Sequence, residues 1–214
     1  MQLAVIAKQP RPGFSKTRLS PDATPAGAAA IAAASLADTL AAVIATPASR
    51  HVLILDGEPG PWLPAGFAVV PQVNGDLGDR LAAGFRDCFA HSTEPVVLVG
   101  MDTPQLRPAD LLRAGTLLTD NDAVLGPASD GGYWLVGLTR LHPEAFLEVP
   151  MSADDTGARQ HDQLRRCGYR VTTTTELDDV DTATDARLVA GMVPGSGFER
   201  AVTTHLGHRP ALRP

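Results

Sequence analysis

Short apolar runs alternate with longer alanine-rich or amphipathic segments along most of the chain, and this alternation constrains the fold more than any other feature. The short runs predict strands and the longer segments predict helices. Strands that are separated by helices usually form a parallel sheet with helices on both faces. We therefore expect a single-domain α/β fold in which helices flank a mostly parallel central sheet.

The predicted elements follow one another with short connections. The predicted strands are 3–7, 52–55, 67–70, 96–99, 123–125, 133–138 and 169–175. The predicted helices are 26–45, 77–89, 108–118, 157–167 and 182–191. The pattern fades after Gly191, so we expect a nucleotide-binding transferase domain over 1–191 and a C-terminal extension over 192–214 that is partly disordered.

Composition excludes several classes of function. A formal net charge of −6 argues against the broad basic face that nucleic acid requires. The two cysteines are far apart and show no metal-ligand spacing, which favours a reduced, cytoplasmic protein. The apolar segment 26–45 is long enough to span a bilayer, but it is mostly alanine and contains Asp38. We interpret it as a helix of a soluble protein and expect no membrane span.

Positive charge is concentrated in the loop after the first predicted strand. Its cationic and small residues are Lys8, Arg11, Gly13, Lys16, Thr17 and Arg18. Such a loop can direct backbone N–H groups and cationic side chains at phosphates. The order of a Walker A motif is absent, and a solvated basic turn remains the alternative interpretation.

Carboxylates follow two further strands. Asp102 lies just beyond the strongly apolar strand 96–99, where a carboxylate can hold Mg²⁺ against phosphate oxygens. The alternative is that Asp102 or Thr103 only caps the following turn. In the acidic stretch 178–185, Asp181 is the most plausible second metal ligand, whereas capping of a helix by Thr182 is the simpler explanation.

A glycine-rich loop precedes the strand 133–138. Asp130, Gly131, Gly132 and Tyr133 could border an acceptor or a sugar, because glycine allows a close approach of the backbone to a ligand. A hairpin turn is the equally simple interpretation, since Asp-Gly is a strong hairpin signal.

These segments together resemble a large bacterial family of glycosyltransferase-like proteins with the GT-A, or nucleotide-diphospho-sugar transferase, fold. The motifs that resemble it are Lys16-Thr17-Arg18-Leu19, Gly75-Asp76-Leu77-Gly78-Asp79-Arg80, Gly100-Met101-Asp102-Thr103-Pro104, Asp130-Gly131-Gly132-Tyr133 and Asp179-Val180-Asp181-Thr182. The likeness runs from about residue 3 to residue 188, in the expected order. The family is allied to molybdenum cofactor and phospholactate guanylyltransferases.

The resemblance implies roles for these residues. Asp102 resembles the metal-binding aspartate of an Asp-x-Pro motif, with Mg²⁺ or Mn²⁺ as the cofactor, and Lys16 would share the catalytic role. Lys8, Lys16 and Arg18 would face the phosphates, together with Gly13, Thr17, Gly75 and Asp76. The chain departs from the family at Pro150-Met151-Ser152, where a Trp followed by Ser or Thr is usual, so the acceptor is less well defined.

Three functions follow as hypotheses. The first is nucleotidyl transfer from a nucleoside triphosphate to a small anionic acceptor. The second is glycosyl transfer from a nucleotide sugar. The third is nucleotide binding without catalysis, because a fold alone does not specify a reaction. The sequence does not identify the base, the acceptor or the oligomeric state.

Overall fold

The computed structural model describes residues 1–151 and 153–207 of the chain. Within these residues the chain forms seven strands and six α-helices. The strands are β1 (Gln2–Lys8), β2 (Arg50–Asp56), β3 (Phe67–Pro71), β4 (Val96–Val99), β5 (Ala123–Pro127), β6 (Tyr133–Leu138) and β7 (Val171–Thr173). The helices are α1 (Pro25–Ile44), α2 (Leu77–His91), α3 (Pro108–Leu117), α4 (Thr156–Arg166), α5 (Ala183–Met192) and α6 (Gly197–Leu206).

The strands form one sheet in the order β3-β2-β1-β4-β6-β5-β7. All neighbouring pairs are parallel except those of β6, which runs antiparallel to both β4 and β5. The predicted mostly parallel α/β sheet is therefore confirmed. The reversal of β6 places its first residue, Tyr133, at the same edge of the sheet as the carboxyl ends of β1 and β4.

Side chains of β1 alternate between two apolar layers, as successive residues of a strand must. Leu3 and Val5 are buried among residues of α1 and α3 on one face. Ala4, on the other face, belongs to the layer that contains Phe85 of α2. Helices thus cover both faces of the sheet, and the polar loops at the strand ends are left at its rim.

Helix α1 is long and apolar enough to cross a membrane by composition, but 61% of its most apolar window is buried inside the protein. It begins after Thr24, whose side chain accepts a hydrogen bond from the Gly27 N–H at 3.1 Å. Its residues pack into the core and against α6. These contacts are those of the core helix of a soluble α/β protein.

Strand β7 is shorter than predicted, because only Val171–Thr173 pairs with β5. Tyr169, which the β-branched pattern placed in the strand, instead turns its ring into the core and donates its hydroxyl to the Arg140 carbonyl at 2.9 Å. Local propensity identified the strand but not the tertiary contact that limits its length.

Helix α6 lies beyond residue 191, in the segment predicted to form a C-terminal extension. Its Phe198 is fully buried in a cluster with Ile31 of α1 and Ala186 of α5. The Asp38 carboxylate accepts a hydrogen bond from the Phe198 N–H at 2.8 Å, at the positive end of α6. Residues 197–206 therefore pack as part of the same unit, and 208–214 lie outside the described residues.

Candidate active site

A cavity of about 610 Å³ opens at the sheet edge where β1 and β4 end and β6 begins. The charged and aromatic residues that line it are Lys8, Phe14, Lys16, Arg18, Asp76, Arg80, Asp102, Tyr133, Trp134, Asp179 and Asp181. The chain contains only two lysines, Lys8 and Lys16, and both line this cavity. The predicted phosphate loop and the predicted metal ligands therefore share one cavity.

The loop after β1 holds its shape through local hydrogen bonds and one apolar anchor. The N–H groups of Phe14 and Ser15 donate to the Arg11 carbonyl at 3.2 and 3.0 Å. Leu19, at the end of a short 3-10 helix (Thr17–Leu19), is fully buried against α1 and α5. The loop is thereby held at the cavity rim, where Lys8, Thr17 and Arg18 are exposed.

Two residues of this loop have positive φ. Gly13 has φ of 79°, which is easily reached by glycine, and it lines a smaller neighbouring cavity rather than the main one. Lys16 has φ of 50°, in the left-handed region, which costs a residue with a Cβ about 1–2 kcal/mol. Strain of this kind is typical of functional sites, where surrounding structure holds the residue in place.

The Lys16 side chain is only 8% exposed and turns inward to the carboxylates. Its Nζ lies 2.9 Å from Asp102 Oδ1 and 3.4 Å from Asp181 Oδ1, and it also donates to the Val180 carbonyl. Burial lowers the pKa of Lys16, but the nearby carboxylates outweigh burial and the net shift of its pKa is upward. The ammonium is therefore charged at neutral pH and links Asp102 to Asp181.

Asp179 is a further carboxylate of the site that sequence reasoning did not select. Burial, followed by the charges of Asp102 and Asp130, raises its pKa to about 7. Asp179 and Asp181 flank the fully buried Val180, whose N–H donates to the Asp102 carbonyl at 3.1 Å. The signal for Asp179 was present in the Asp-Val-Asp pattern, since alternate residues of an extended segment point the same way.

Asp102, Asp179 and Asp181 line the cavity and offer carboxylate oxygens to a divalent cation, but their oxygens do not yet lie at the mutual spacing of metal ligands, and the Lys16 ammonium lies between Asp102 and Asp181. Oxygen donors of this charge suit Mg²⁺ or Mn²⁺. Burial is the largest cause of the raised pKa of Asp179. The negative charges of Asp102 and Asp130 raise this pKa further, and the charge of Lys16 only partly offsets them, so a cation there would find a negatively charged environment. Arg18 is 72% exposed and reaches Asp181 Oδ2 at 3.0 Å from the solvent side.

Gly75 and Asp76 form the start of α2 at the cavity wall. The Asp76 carboxylate accepts from the Asp79 N–H at 2.9 Å and so caps the helix. Gly75 has φ of 130°, and a Cβ there would lie 2.3 Å from the Asp79 carboxylate. Both residues line the cavity. Their contacts fix the start of α2, and the Gly75 carbonyl accepts a hydrogen bond from Arg80 at 3.1 Å.

The loop 128–132 is a hairpin between β5 and β6, so the turn interpretation describes its backbone. The Asp130 carboxylate accepts from the Gly132 N–H at 2.8 Å. A Cβ on Gly131 would lie 1.8 Å from the Asp154 carbonyl oxygen, so close packing against the start of α4 requires glycine there. The structure thus gives Gly131 a packing role and places Asp130 near Asp179.

Tyr133, the fourth residue predicted to contact the acceptor or sugar, does line the cavity. Burial raises the pKa of its hydroxyl, which lies 3.3 Å from Gln160 Oε1 on α4 and 3.8 Å from the Met151 sulfur. Met151 belongs to the segment that departs from the family pattern, and it borders the tyrosine at this wall. Ser152 of that segment lies outside the described residues.

Comparison with known proteins identifies the family. Residues 29–153, more than half of the chain, match the family described as "Uncharacterized protein conserved in bacteria (DUF2064)". Phosphoenolpyruvate guanylyltransferase of Streptomyces scabiei is 30% identical over 195 residues, which cover 85% of this chain and 87% of that protein.

Solved structures give the same result at the level of the fold. A protein of Desulfovibrio desulfuricans that is assigned by name to the nucleotide-diphospho-sugar transferases superimposes with a TM-score of 0.83 and 26% identity, over 93% of this chain and 90% of that one. The 4-diphosphocytidyl-2C-methyl-D-erythritol synthase of Anaerococcus prevotii has a TM-score of 0.58 at 12% identity, over 88% and 94%. The chain is therefore a transferase with a GT-A-like fold that belongs to the bacterial DUF2064 family, which is allied to the phospholactate guanylyltransferases.

Proposed function

We propose that this protein is a Mg²⁺-dependent nucleotidyltransferase that moves a nucleoside monophosphate from a nucleoside triphosphate to a small anionic acceptor. One observation carries the proposal: the Lys16 ammonium, which comes from the cationic loop, lies within 3.4 Å of both Asp102 and Asp181 in a cavity large enough for a nucleotide. The residues that we propose to bind phosphate and those that we propose to bind the metal are therefore in direct contact.

Asp102, Asp179 and Asp181 would hold the metal in this proposal, with Mn²⁺ as an alternative to Mg²⁺. When bound, the metal would neutralise charge on the phosphates of the donor. Without a metal, the Lys16 ammonium neutralises Asp102 and Asp181. A bound metal would take over this role and leave the ammonium available to a phosphate oxygen. Asp179, with a pKa raised to about 7, would bind the metal in its ionised form.

The residues of the loop would position the donor and stabilise charge on it. An oxygen of the acceptor forms a bond to the α-phosphorus, the bond from that phosphorus to the bridging oxygen breaks, and pyrophosphate leaves with the electron pair. Lys8 and Arg18 are exposed at the rim and would bind the departing phosphates, while Lys16 stabilises charge nearer the reacting phosphorus. Gly13 and Thr17 would offer backbone and hydroxyl groups to the same phosphates.

The acceptor would lie between the carboxylate cluster and Tyr133. The Streptomyces scabiei relative is named as a guanylyltransferase of phosphoenolpyruvate, so GTP and phosphoenolpyruvate are the first substrates to test. We infer that the ligands are small molecules rather than nucleic acid, in line with the net charge of −6, and that the protein acts in the cytoplasm.

Glycosyl transfer from a nucleotide sugar is the second candidate. The name of the Desulfovibrio desulfuricans protein, which superimposes over 93% of this chain, favours it. The same cavity would then hold the diphosphate of the donor, and Asp130 would face the sugar.

The products distinguish the two reactions. Nucleotidyl transfer releases pyrophosphate from a nucleoside triphosphate, and glycosyl transfer releases a nucleoside diphosphate from a nucleotide sugar. Asp102→Asn should remove the activity, whereas Asp162→Asn, at a carboxylate that is 70% exposed, should not change it. Turnover of nucleotide sugars without pyrophosphate release from any triphosphate would contradict the proposal.

The two lysines offer a direct test of binding. Biosynthetic incorporation of ¹³C-labelled lysine and methionine would make Lys8, Lys16 and Met1 visible by NMR without chemical access to the buried Lys16 ammonium. We expect a nucleoside triphosphate with Mg²⁺ to shift the signals of both lysines but not that of Met1. Shifts confined to Met1, or no shifts at saturating nucleotide, would refute binding at this cavity.

A further inference from the structure

A second cluster of metal-ligating side chains lies at the C-terminal end of α4, on segments that do not line the active-site cavity. His142, Glu144 and Cys167 place an imidazole nitrogen, a carboxylate oxygen and a thiol sulfur within 4.8 Å of one another. Bond lengths of about 2.0–2.3 Å to zinc require ligand atoms about 3.3–3.8 Å apart. Small side-chain rotations would therefore bring the three atoms to ligand spacing.

The two segments that carry these residues are tied together by their backbone and by neighbouring side chains. The Gln163 amide donates to the Glu144 carbonyl at 2.6 Å, and the His142 N–H donates to the Tyr169 hydroxyl at 2.8 Å. The ring of Tyr169 is buried, with the Arg140 guanidinium 4.1 Å from its centroid. The side chains of the cluster thus project from a fixed framework, which lowers the entropic cost of metal binding.

The chemistry of the three donors selects the type of metal. Thiolate and imidazole favour Zn²⁺ over Mg²⁺ or Ca²⁺, which prefer oxygen. His142 Nδ1 accepts a hydrogen bond from the Glu144 backbone N–H at 3.2 Å, which holds the ring beside the segment that carries Glu144. The charges of Arg140 and Arg166 favour the thiolate form of Cys167 but oppose a cation. Their guanidinium groups are held by the Tyr169 ring and the Gln163 amide oxygen, respectively.

We propose that His142, Glu144 and Cys167 form a Zn²⁺ site that joins the segment after β6 to the end of α4, with water or a further ligand completing the coordination. Binding converts the Cys167 thiol to a thiolate and releases its proton to solvent. Since α4 and the residues just before it contact Tyr133 and Gly131, the ion would stabilise the helix that supports Tyr133 at the active-site cavity.

Cobalt substitution tests the site, because only a cysteine ligand produces thiolate-to-cobalt charge-transfer absorption. Tag-free protein, reduced and freed of metal, would be titrated with Co²⁺ and the cobalt then displaced with Zn²⁺. We expect the absorption band in the wild type, its loss in Cys167→Ser and at least about tenfold weaker binding in His142→Ala, since even outer-shell changes cost 10–100-fold. The matched control His161→Ala, at a partly exposed histidine of α4, should bind as the wild type does.

A second measurement separates this site from the catalytic carboxylates. Asp102→Asn should keep the charge-transfer band, and Zn²⁺ should raise the Tm of the wild type but not that of His142→Ala. Absence of the band in folded wild-type protein, or its survival in Cys167→Ser, would overturn the proposal. The remaining cysteine, Cys88, is fully buried in the core and offers no competing accessible thiol.

Discussion

At the scale of single residues, Lys16 does the most to organise the candidate site. It adopts an unfavourable backbone conformation, and its side chain is almost completely buried among acidic groups. A buried ammonium is tolerated only when carboxylates compensate its desolvation. Asp102 and Asp181 provide that compensation, and in return Lys16 reduces their mutual repulsion.

Replacement of Lys16 by Met should therefore affect catalysis strongly. Met keeps most of the side-chain volume but removes the charge, and loss of one donor to a developing anion costs about 10²–10³ in kcat. Lys8→Met, at the exposed last residue of β1, should reduce kcat/KM less. Steady-state pyrophosphate release measures both, and equal effects of the two changes would contradict the central role of Lys16.

A second residue-scale prediction concerns Gly131. Ala at this position would combine a φ of 86° with a Cβ 1.8 Å from the Asp154 carbonyl oxygen, so Gly131→Ala should destabilise the protein by about 1–3 kcal/mol. Gly191→Ala is the matched control, because a Cβ there meets nothing within 4 Å and lies in helix α5. Urea denaturation should show a loss only for Gly131→Ala.

At the scale of elements, the ends of helices and strands decide where the functional loops lie. The capping box of Asp76 begins α2 at the cavity wall, and that of Thr182 begins α5 directly after Asp181. From the sequence, capping of α5 by Thr182 and a contribution of Asp181 to the site are alternative interpretations. The structure contains both contacts, because Thr182 caps α5 and Asp181 accepts a hydrogen bond from Lys16. The cap fixes the backbone beside Asp181, which leaves its carboxylate directed at Lys16.

Asp122 lies directly before β5, and the stability that it contributes at this strand end should depend on pH. A hydrogen bond from the Arg170 N–H, at 2.8 Å, is the main cause that lowers the pKa of Asp122, and the Arg170 side chain adds to it against the opposing effect of burial. A lowered folded-state pKa means that the stabilisation is present above the unfolded value of about 3.9 and is lost as the pH falls through the folded value.

We therefore expect Asp122→Asn to lower the Tm at pH 7 and this difference to shrink below about pH 4, near the unfolded pKa. The control Asp120→Asn, at an exposed neighbour in the same turn, should show little difference at either pH. Scanning calorimetry from pH 7 to pH 3 measures both. A Tm difference that grows in acid would contradict the assigned direction.

At the scale of the whole molecule, α1, α5 and α6 form an apolar cluster that supports the phosphate loop. Leu19 of the loop is buried in this cluster together with Phe198 of α6. The segment beyond residue 191 thus contributes indirectly to the position of Lys16. Stability of the C-terminal helix and binding of phosphates should therefore be linked.

Phe198→Ala tests this link. Truncation of a fully buried phenylalanine leaves a cavity and costs about 3–5 kcal/mol, and the loosened cluster should also raise the KM for the triphosphate. Leu188→Ala, at a leucine that is 54% exposed on α5, should change neither quantity appreciably. If Phe198→Ala left the protein as stable as the control, α6 would not be part of the folded unit in solution.

The sequence by itself determined those features that depend only on residues close together in the chain. Hydrophobic periodicity sufficed for the positions of most strands and helices, and the boundaries of β4 and β6 agree with their apolar runs. Asp102 could be selected because its position depends only on the end of one strand. The loop cations could be selected because they are adjacent in the chain.

Only the tertiary structure decided what depends on residues distant in the chain. The reversal of β6, the sheet order and the burial of α6 follow from the packing of whole elements, which a local pattern does not encode. The raised pKa of Asp179 arises from burial and from Asp102 and Asp130, both far away in sequence. Electrostatic and packing energies depend on distances in space, and these exist only once the chain has folded.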